Sequence, residues 1–338
     1  MLIDKILDKN GSIKEIDPKI ALEIINADDI ELEKLQQLCL SLTRKEFGNL
    51  INSYYPGLNF PSISITGNKC ALNCKHCNRH YLESMIPATT PQKLLKICNE
   101  LNEKGATGCL ISGGFDNNAK LPFEKFLDVL REIKNSTDLI LNLHTGLITE
   151  DLAIKLGEIG IDLVSFDITT DNYIINKIYG LNKSPNDYIN SLNWLLESKI
   201  RFIAPHICIG LNPKNIMSEF QSLSVIKRIN PSIIVLIAFI PTRGTAMENS
   251  PAPTPNFISK IICLTRLMFP KSEISLGCMR PKSGQIKYKI EKYAINSGVS
   301  RIVLPARKII NYILSKNYTI KRFNTCCAIP SDLLKKIK

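Results

Sequence analysis

Residues 60–77 read FPSISITGNKCALNCKHC, a short apolar run that leads within a few residues into three cysteines. The run at residues 62–66 has the length and composition of a buried strand. The cysteines that follow, Cys70, Cys74 and Cys77, have the spacing C-x3-C-x2-C. A strand that leads into such a loop predicts an α/β domain with its chemistry at a strand end.

The alternation of strand and helix continues along the chain. Amphipathic stretches separate eight short apolar runs, at residues 62–66, 108–111, 139–143, 163–167, 201–206, 233–240, 273–276 and 301–304. Such alternation implies parallel strands with right-handed crossovers, and eight repeats predict a (β/α)8, TIM-like barrel. We predict three parts: an N-terminal helical cap over residues 1–60, the barrel over residues 61–310, and a C-terminal extension over residues 311–338 near the barrel mouth.

Length and composition fit this fold. The chain has 338 residues, of which 44% are hydrophobic and 22% charged, so intrinsic disorder is excluded. The longest apolar run, at residues 233–240, is too short to span a bilayer, and residues 1–10 lack the apolar core of a signal peptide. We therefore expect a cytoplasmic protein without membrane association. Eleven cysteines in a reducing compartment indicate metal or redox chemistry rather than disulfides.

The cysteine triplet favours an iron–sulfur cluster. A structural zinc site needs a fourth ligand, usually from a second cysteine or histidine pair, and no such pair lies nearby in the sequence. Three thiolates can instead hold an iron–sulfur cube whose fourth iron stays open for an exogenous ligand. A structural metal knuckle and buried free thiols are the alternatives.

The cysteine cluster resembles the signature of the radical S-adenosylmethionine (SAM) enzymes, and other motifs agree with their biotin synthase branch. The run Ile111-Ser112-Gly113-Gly114 resembles the glycine motif for the methionine part of SAM, where backbone must approach the ligand closely. By the same resemblance, a strand-end carboxylate contacts the ribose, and the run at residues 207–211 and the residue before the third cysteine lie beside the adenine. The positions implied to bind the cofactor are His76, Ser112, Gly113, Gly114, Asp167 and Ile209.

The resemblance also implies the chemistry. A 4Fe-4S cluster on Cys70, Cys74 and Cys77 binds SAM through its open iron. An electron, from a donor such as ferredoxin, then cleaves SAM to a 5′-deoxyadenosyl radical that removes hydrogen from an unactivated carbon. The cofactor supplies the difficult step, and the barrel positions it and excludes water. No catalytic side chain beyond the cluster ligands is assigned from the sequence.

Eight further cysteines decide between family reactions. Five have the surroundings of core residues: Cys39, Cys98, Cys109, Cys208 and Cys263. The run at residues 139–144 lacks the cysteine with which biotin synthase completes its sulfur-donating cluster. We predict that Cys278, Cys326 and Cys327 help to bind an auxiliary 4Fe-4S cluster. Three unrelated free thiols are the alternative.

The favoured interpretation is a lipoyl synthase subunit similar to the archaeal two-component type. It would insert sulfur at C6 or C8 of an octanoyl chain on a lipoyl carrier domain or glycine-cleavage H protein, with a paired radical SAM subunit. Three alternatives stay open. They are biotin synthase, another biotin-synthase-like maturase or mutase without an auxiliary cluster, and a non-enzymatic iron–sulfur protein, which would normally use four cysteines.

The net charge of +12 is concentrated near the C-terminus. Residues 251–338 carry seventeen basic and three acidic side chains. No helix-turn-helix, zinc finger or aromatic RNA-binding signature accompanies them, so we expect no nucleic acid partner. If the substrate is carried on an acidic domain, this segment, including Arg280, Lys282, Lys287 and Lys289, is the predicted docking surface, and a solvated basic face is the alternative.

Overall fold

The structure, a computed structural model, describes residues 2–335. Its strands are β1 (Leu50–Tyr54), β2 (Ser62–Ser64), β3 (Ile86–Pro87), β4 (Gly108–Ser112), β5 (Ile140–His144), β6 (Leu163–Asp167), β7 (Phe202–Ile209), β8 (Ile233–Ala238), β9 (Glu273–Leu276), β10 (Arg301–Val303) and β11 (Thr319–Phe323). Its α-helices are α1 (Leu2–Ile6), α2 (Pro18–Asn26), α3 (Asp29–Phe47), α4 (Pro91–Glu103), α5 (Leu127–Ser136), α6 (Glu150–Ile159), α7 (Pro185–Glu197), α8 (Ser218–Ile226), α9 (Pro255–Met268), α10 (Gly284–Asn296), α11 (Arg307–Ser315) and α12 (Ser331–Leu334). The contacts of the chain group it into two compact units.

All eight predicted strands form, as β2 and β4–β10, with ends that differ by at most three residues from the predicted ones. The N-terminal part, for which helices were predicted, contains α2 and α3. Three strands were not predicted. They are β1, the two-residue β3, and β11, which is mostly exposed and carries two basic residues. The predicted boundaries at residues 60 and 310 stay a prediction.

The first unit comprises residues 2–54, 207–240 and 251–323. Its strands are all parallel, in the order β8-β9-β10-β1-β11. The helices α2 and α3 begin at Asp17 and Asp28, whose carboxylates accept hydrogen bonds from the backbone amides of Ile20 and Glu31. Such caps satisfy amides that the first helical turn leaves without partners.

The second unit comprises residues 55–206, 241–250 and 324–335. Its strands are also parallel, in the order β7-β6-β5-β4-β2-β3, with residues 202–206 of β7 at one end. The register pairs Asp167 with His206 and places Ser112 opposite Ser64. Parallel strands end at a common edge, so the terminal residues of β4, β5 and β6 are neighbours.

Part of the basic charge near the C-terminus is buried in the first unit. Arg280 is 1% exposed, and its Nη2 lies 2.6 Å from Glu291 Oε1. Arg301 is likewise buried, with its Nη2 2.5 Å from Glu273 Oε2. Arg266 is fully buried and donates hydrogen bonds to the backbone carbonyls of four residues. Including Arg280 in the docking surface is therefore wrong, because its guanidinium compensates a buried carboxylate.

The core cysteines are mostly where they were predicted. Cys39, Cys98, Cys109 and Cys263 are fully buried, as expected for small apolar side chains. Cys208 is only half-buried, so its assignment to the core is wrong. The side chain lies in the alternating part of β7, where every second residue is less buried. No helix within residues 2–335 is both long and apolar enough to cross a membrane.

Candidate active site

The loop that follows β2 is held in place by backbone hydrogen bonds from several directions. The amide of Ala71 donates to the carbonyl of Phe115 at 2.7 Å, and the amide of Lys75 donates to the carbonyl of Ile178 at 2.8 Å. On the other side, the carbonyl of Lys75 accepts from the amide of Met247 at 3.1 Å. The surrounding fold therefore fixes the path of the cysteine loop.

The three thiols of this loop are half-buried and influence each other's ionisation. Burial raises the pKa of Cys74 to about 12, and the neighbouring Cys77 and Cys70 raise it further. Burial also raises the pKa of Cys77, with Cys70 contributing in the same direction. Thiols in such surroundings stay protonated unless a positive centre stabilises the thiolates. The loop thus has the donor chemistry of a metal-cluster site.

Three thiols on one loop are the donor set of an iron–sulfur cluster. A 4Fe-4S cluster takes one thiolate for each iron, so its ligands need not converge on one point. The Cys70, Cys74 and Cys77 thiols therefore fit the cluster that the sequence predicted.

The glycine pair after β4 packs directly on this loop. A Cβ atom on Gly114 would collide with the carbonyl oxygen of Lys69 and with Cys70, and one on Gly113 would lie 2.7 Å from Thr66 Oγ1. The same Thr66 hydroxyl accepts a hydrogen bond from the amide of Gly114 at 2.6 Å. Both glycines are thus required for the close approach of the strand end to the cysteine loop.

We expect Gly114→Ala to destabilise the second unit by about 1–3 kcal/mol, because an added methyl group must displace backbone rather than a flexible side chain. It should also reduce the iron bound after anaerobic reconstitution, since the displaced residues adjoin Cys70. Iron content and urea unfolding measure the two effects. Asn73→Ala, an exposed change in the same loop, is the control. Wild-type stability of Gly114→Ala would contradict this packing.

Four strand-end side chains form a polar row in the same unit. His144, on β5, lies between the other members. Its Nδ1 is 3.4 Å from Ser112 Oγ, and its Nε2 is 3.0 Å from Asp167 Oδ2. The rings of His144 and His206 have centroids 6.1 Å apart. The sequence had predicted Ser112 and Asp167 as site residues, and the structure adds the two histidines.

The charges in this row are strongly coupled. Burial alone would raise the pKa of Asp167, but His144, His206 and His76 together lower it to about 2. Burial lowers the pKa of His144, and the Asp167 carboxylate outweighs this effect, so the net shift is upward. His206 is different: burial lowers its pKa to about 4 in spite of Asp167. Of the two imidazoles in the row, His144 is therefore the one whose protonated form is favoured.

His76 also belongs to the second unit. Its ring lies 5.4 Å from that of Tyr179, and burial lowers its pKa to about 4. Within the described residues, the buried Nδ1 of His76 has no hydrogen-bond partner. Because a buried polar atom rarely stays unsatisfied, this nitrogen fits the side of a ligand pocket. The role of His76 beside SAM stays a prediction.

The C-terminal segment reaches the strand ends of the second unit. Cys326 Sγ accepts hydrogen bonds from Asn142 Nδ2 at 3.9 Å and from the amide of Ala328 at 3.5 Å. The side-chain oxygen Oδ1 of Asn142 in turn accepts a hydrogen bond from the hydroxyl of Ser165 at 3.0 Å. Cys326 is half-buried, whereas Cys327 is 6% exposed. The chain end thus places a cysteine beside β5, the strand that has no cysteine of its own.

Two predicted site residues lie in the first unit. Ile209 is fully buried at the end of β7, and Cys278 is exposed after β9. The grouping of Cys278 with Cys326 and Cys327 stays a prediction. Sequence reasoning missed His144 and His206, although both lie at or near the end of a predicted strand, the position where the barrel fold places its chemistry.

Comparison with known proteins finds a family model that matches part of the chain. The sequence model of the Radical SAM superfamily matches residues 64–220. A biotin synthase of Vesicomyosocius okutanii subsp. Calyptogena okutanii (strain HA) is 24% identical over 233 residues, covering 66% of this chain and 70% of that protein. A biotin synthase of Bacillus cereus (strain AH187) is 23% identical over 296 residues, covering 84% of each chain.

Solved structures agree in fold. Methylornithine synthase superposes with a TM-score of 0.68 at 16% identity, over 100% of both chains. HydG, a maturase of the FeFe-hydrogenase, superposes with a TM-score of 0.71 at 16% identity, over 99% of this chain and 76% of that one. The predicted α/β fold class, with parallel strands and flanking helices, is thereby confirmed.

Proposed function

From the radical SAM core at residues 64–220, we propose that this protein is a lipoyl synthase subunit that inserts sulfur into an octanoyl chain. The coarser assignment, a radical SAM enzyme similar to biotin synthases, follows from the comparisons. The proposed substrate is the octanoyl group of a lipoyl carrier domain or glycine-cleavage H protein. A paired radical SAM subunit and a ferredoxin-type electron donor belong to the same proposal.

The residues of the second unit have defined parts in this function. Cys70, Cys74 and Cys77 would hold the 4Fe-4S cluster, and the Gly113-Gly114 turn lets the end of β4 pack closely against their loop. When bound, the cluster and SAM supply the radical that removes hydrogen from an unactivated carbon. The protein fixes the loop, shields it from water and presents the strand-end side chains to the substrate.

The observation that carries the sulfur-insertion proposal is the position of Cys326. Its sulfur lies beside Asn142 of β5 and accepts two N–H hydrogen bonds. Cys327 follows it directly, and both thiols are proposed ligands of an auxiliary 4Fe-4S cluster. Such a cluster would be the source of the inserted sulfur.

A second candidate function is a reaction on a small polar molecule without an auxiliary cluster, as in a mutase or maturase. The polar row of Ser112, His144, Asp167 and His206 favours it, because an alkyl chain makes no use of such groups. Full-length likeness to methylornithine synthase shows the fold and does not decide between the two. A biotin synthase reaction is less well supported, because β5 lacks the cysteine that the sulfur-donating cluster of biotin synthase requires.

The test combines mass spectrometry with iron analysis. After anaerobic reconstitution, the protein with SAM and dithionite should add sulfur to an octanoylated carrier peptide, alone or with the paired subunit. The double variant Cys326→Ala/Cys327→Ala should lose roughly four iron atoms per chain and all sulfur insertion. SAM cleavage should persist, because Cys70, Cys74 and Cys77 remain.

Cys98→Ala is the matched control, since it removes a buried thiol of α4 in the same unit. It should keep the iron content and sulfur insertion of the wild type. Unchanged iron in the double variant, together with no mass gain by the wild-type protein, would contradict sulfur insertion and leave the small-molecule reaction as the better assignment.

A further inference from the structure

Three of the four histidines of the chain act on one carboxylate. His144, His206 and His76 all lower the pKa of Asp167, although they come from different segments. Asp167 is exposed at the end of β6, and its side chain is 50% accessible. The carboxylate therefore lies at a surface that a ligand can reach.

His144 has a defined neighbour at each ring nitrogen. The carboxylate of Asp167 lies 3.0 Å from Nε2, close enough for a strong electrostatic attraction. Ser112 Oγ lies 3.4 Å from Nδ1. This arrangement, in which an acid orients an imidazole beside a hydroxyl, occurs where an imidazole transfers protons.

The charge balance around His144 determines its protonation. The titratable groups that face it are Asp167 from β6 and His206 from β7, while His76 and Tyr188 act on the same carboxylate. Asp167 stays ionised at neutral pH because its pKa is low, and it raises the pKa of His144. His206 stays neutral because burial lowers its pKa. The protonated form is therefore favoured on His144, whose side chain is 24% exposed.

We propose that His144, oriented by Asp167, exchanges a proton with an N–H, O–H or S–H group of the substrate. In the donating direction, the Nδ1–H bond breaks and its electron pair stays on the ring. The proton passes to Ser112 Oγ, and the proton of the serine hydroxyl passes to the substrate atom. Water then restores the imidazolium, so the step needs no oxidant or reductant.

This inference rests on the proposed function only in placing the radical chemistry in the second unit. It adds a requirement for the substrate, which must carry a nitrogen, oxygen or sulfur near the carbon that loses hydrogen. An amine or hydroxyl of a small molecule meets the requirement from the start. An octanoyl chain meets it only after the first sulfur has been added to the carbon, when the thiolate takes the proton.

The decisive experiment is a histidine titration of the full-length protein by NMR with ¹³C-labelled histidine. The resonance of His144, assigned by its loss in His144→Gln, should titrate above the range of an ordinary histidine. Asp167→Asn should lower its midpoint below that range, because burial then acts without the carboxylate. Asp167→Glu should restore the upward shift. His80→Gln, on an exposed turn, is the control and should change nothing.

Turnover measurements separate a proton-transfer role from a structural one. With the octanoyl carrier peptide, His144→Gln should lower product formation by roughly 100-fold or more, and in the wild type the rate should fall as pH rises through the His144 midpoint. Asp167→Asn should move that fall to lower pH. No sulfur gain by any variant, with the titration as expected, would refute lipoyl synthesis and support the inference. If the titration midpoint of His144 is the same in Asp167→Asn as in the wild type, the inference is overturned.

Discussion

Cys74→Ala is expected to abolish reductive cleavage of SAM and to remove roughly four iron atoms per chain after anaerobic reconstitution. In the proposed cluster each of the three cysteines would hold one iron, so loss of a ligand would leave an iron exposed to solvent. Cys74 is an informative choice because burial and its two thiol neighbours raise its pKa to about 12. Formation of its thiolate therefore depends on stabilisation by iron.

The change should have little effect on the fold. Cys74 Sγ makes one weak hydrogen bond, to the carbonyl of Tyr179 at 3.7 Å, and the loop is held by backbone amides that alanine retains. Iron and sulfide analysis, together with the yield of 5′-deoxyadenosine, measures the result. Asn73→Ala, the adjacent exposed position, should retain iron and cleavage. SAM cleavage that survives Cys74→Ala would refute the radical SAM assignment of this loop.

The clearest of the predicted strands is a continuous apolar run. A parallel strand with both faces covered is apolar along its whole length, so β8 was evident from composition. The strands β1 and β11 were missed because polar residues interrupt them. Asn52 and Ser53 interrupt β1, and the side chains of β11 are mostly exposed. Pairing with a neighbouring strand, which sequence does not reveal, stabilises both.

The residues of the candidate site likewise divide into those that the sequence predicted and those that it did not. The cysteine loop and the glycine pair were predicted because each is a contiguous motif. His144 and His206 are single residues whose role depends on register, which sets each side chain beside Asp167. The contact between Cys326 and β5 was harder still to predict, because Asn142, its hydrogen-bond partner, lies 184 residues away in sequence. Local chemistry can be read from the chain, whereas chemistry assembled across strands requires the register.

Arg280→Met is expected to destabilise the first unit by about 3–5 kcal/mol, because it leaves the carboxylate of Glu291 buried without its guanidinium partner. Arg280 also donates hydrogen bonds to the carbonyls of Gly277 and Val303, which would lose a donor. Lys287 Nζ, 3.8 Å from the same carboxylate, offsets part of the loss. Burial of the pair is nearly complete, with 1% and 0% of the two side chains exposed.

The measurement must report on the first unit. The single tryptophan, Trp194, lies in α7 of the second unit, so its fluorescence is unsuitable. Amide hydrogen exchange in β9 and α10 reports locally, and these amides should exchange faster in Arg280→Met. The double variant Arg280→Met/Glu291→Leu removes both charges and should recover much of the stability, because neither partner is then left ionised in the core.

The same pair of variants decides how the basic C-terminal segment is to be understood. If the amides of β9 and α10 exchange in Arg280→Met as they do in the wild type, the buried guanidinium contributes no net stabilisation to the first unit. If amide exchange is faster in Arg280→Met and the double variant reverses this effect, the charge of Arg280 is compensated by Glu291 inside the first unit. Docking of an acidic carrier domain then depends on the exposed lysines alone, and its sensitivity to salt should respond to lysine substitutions and not to the Arg280→Met/Glu291→Leu pair.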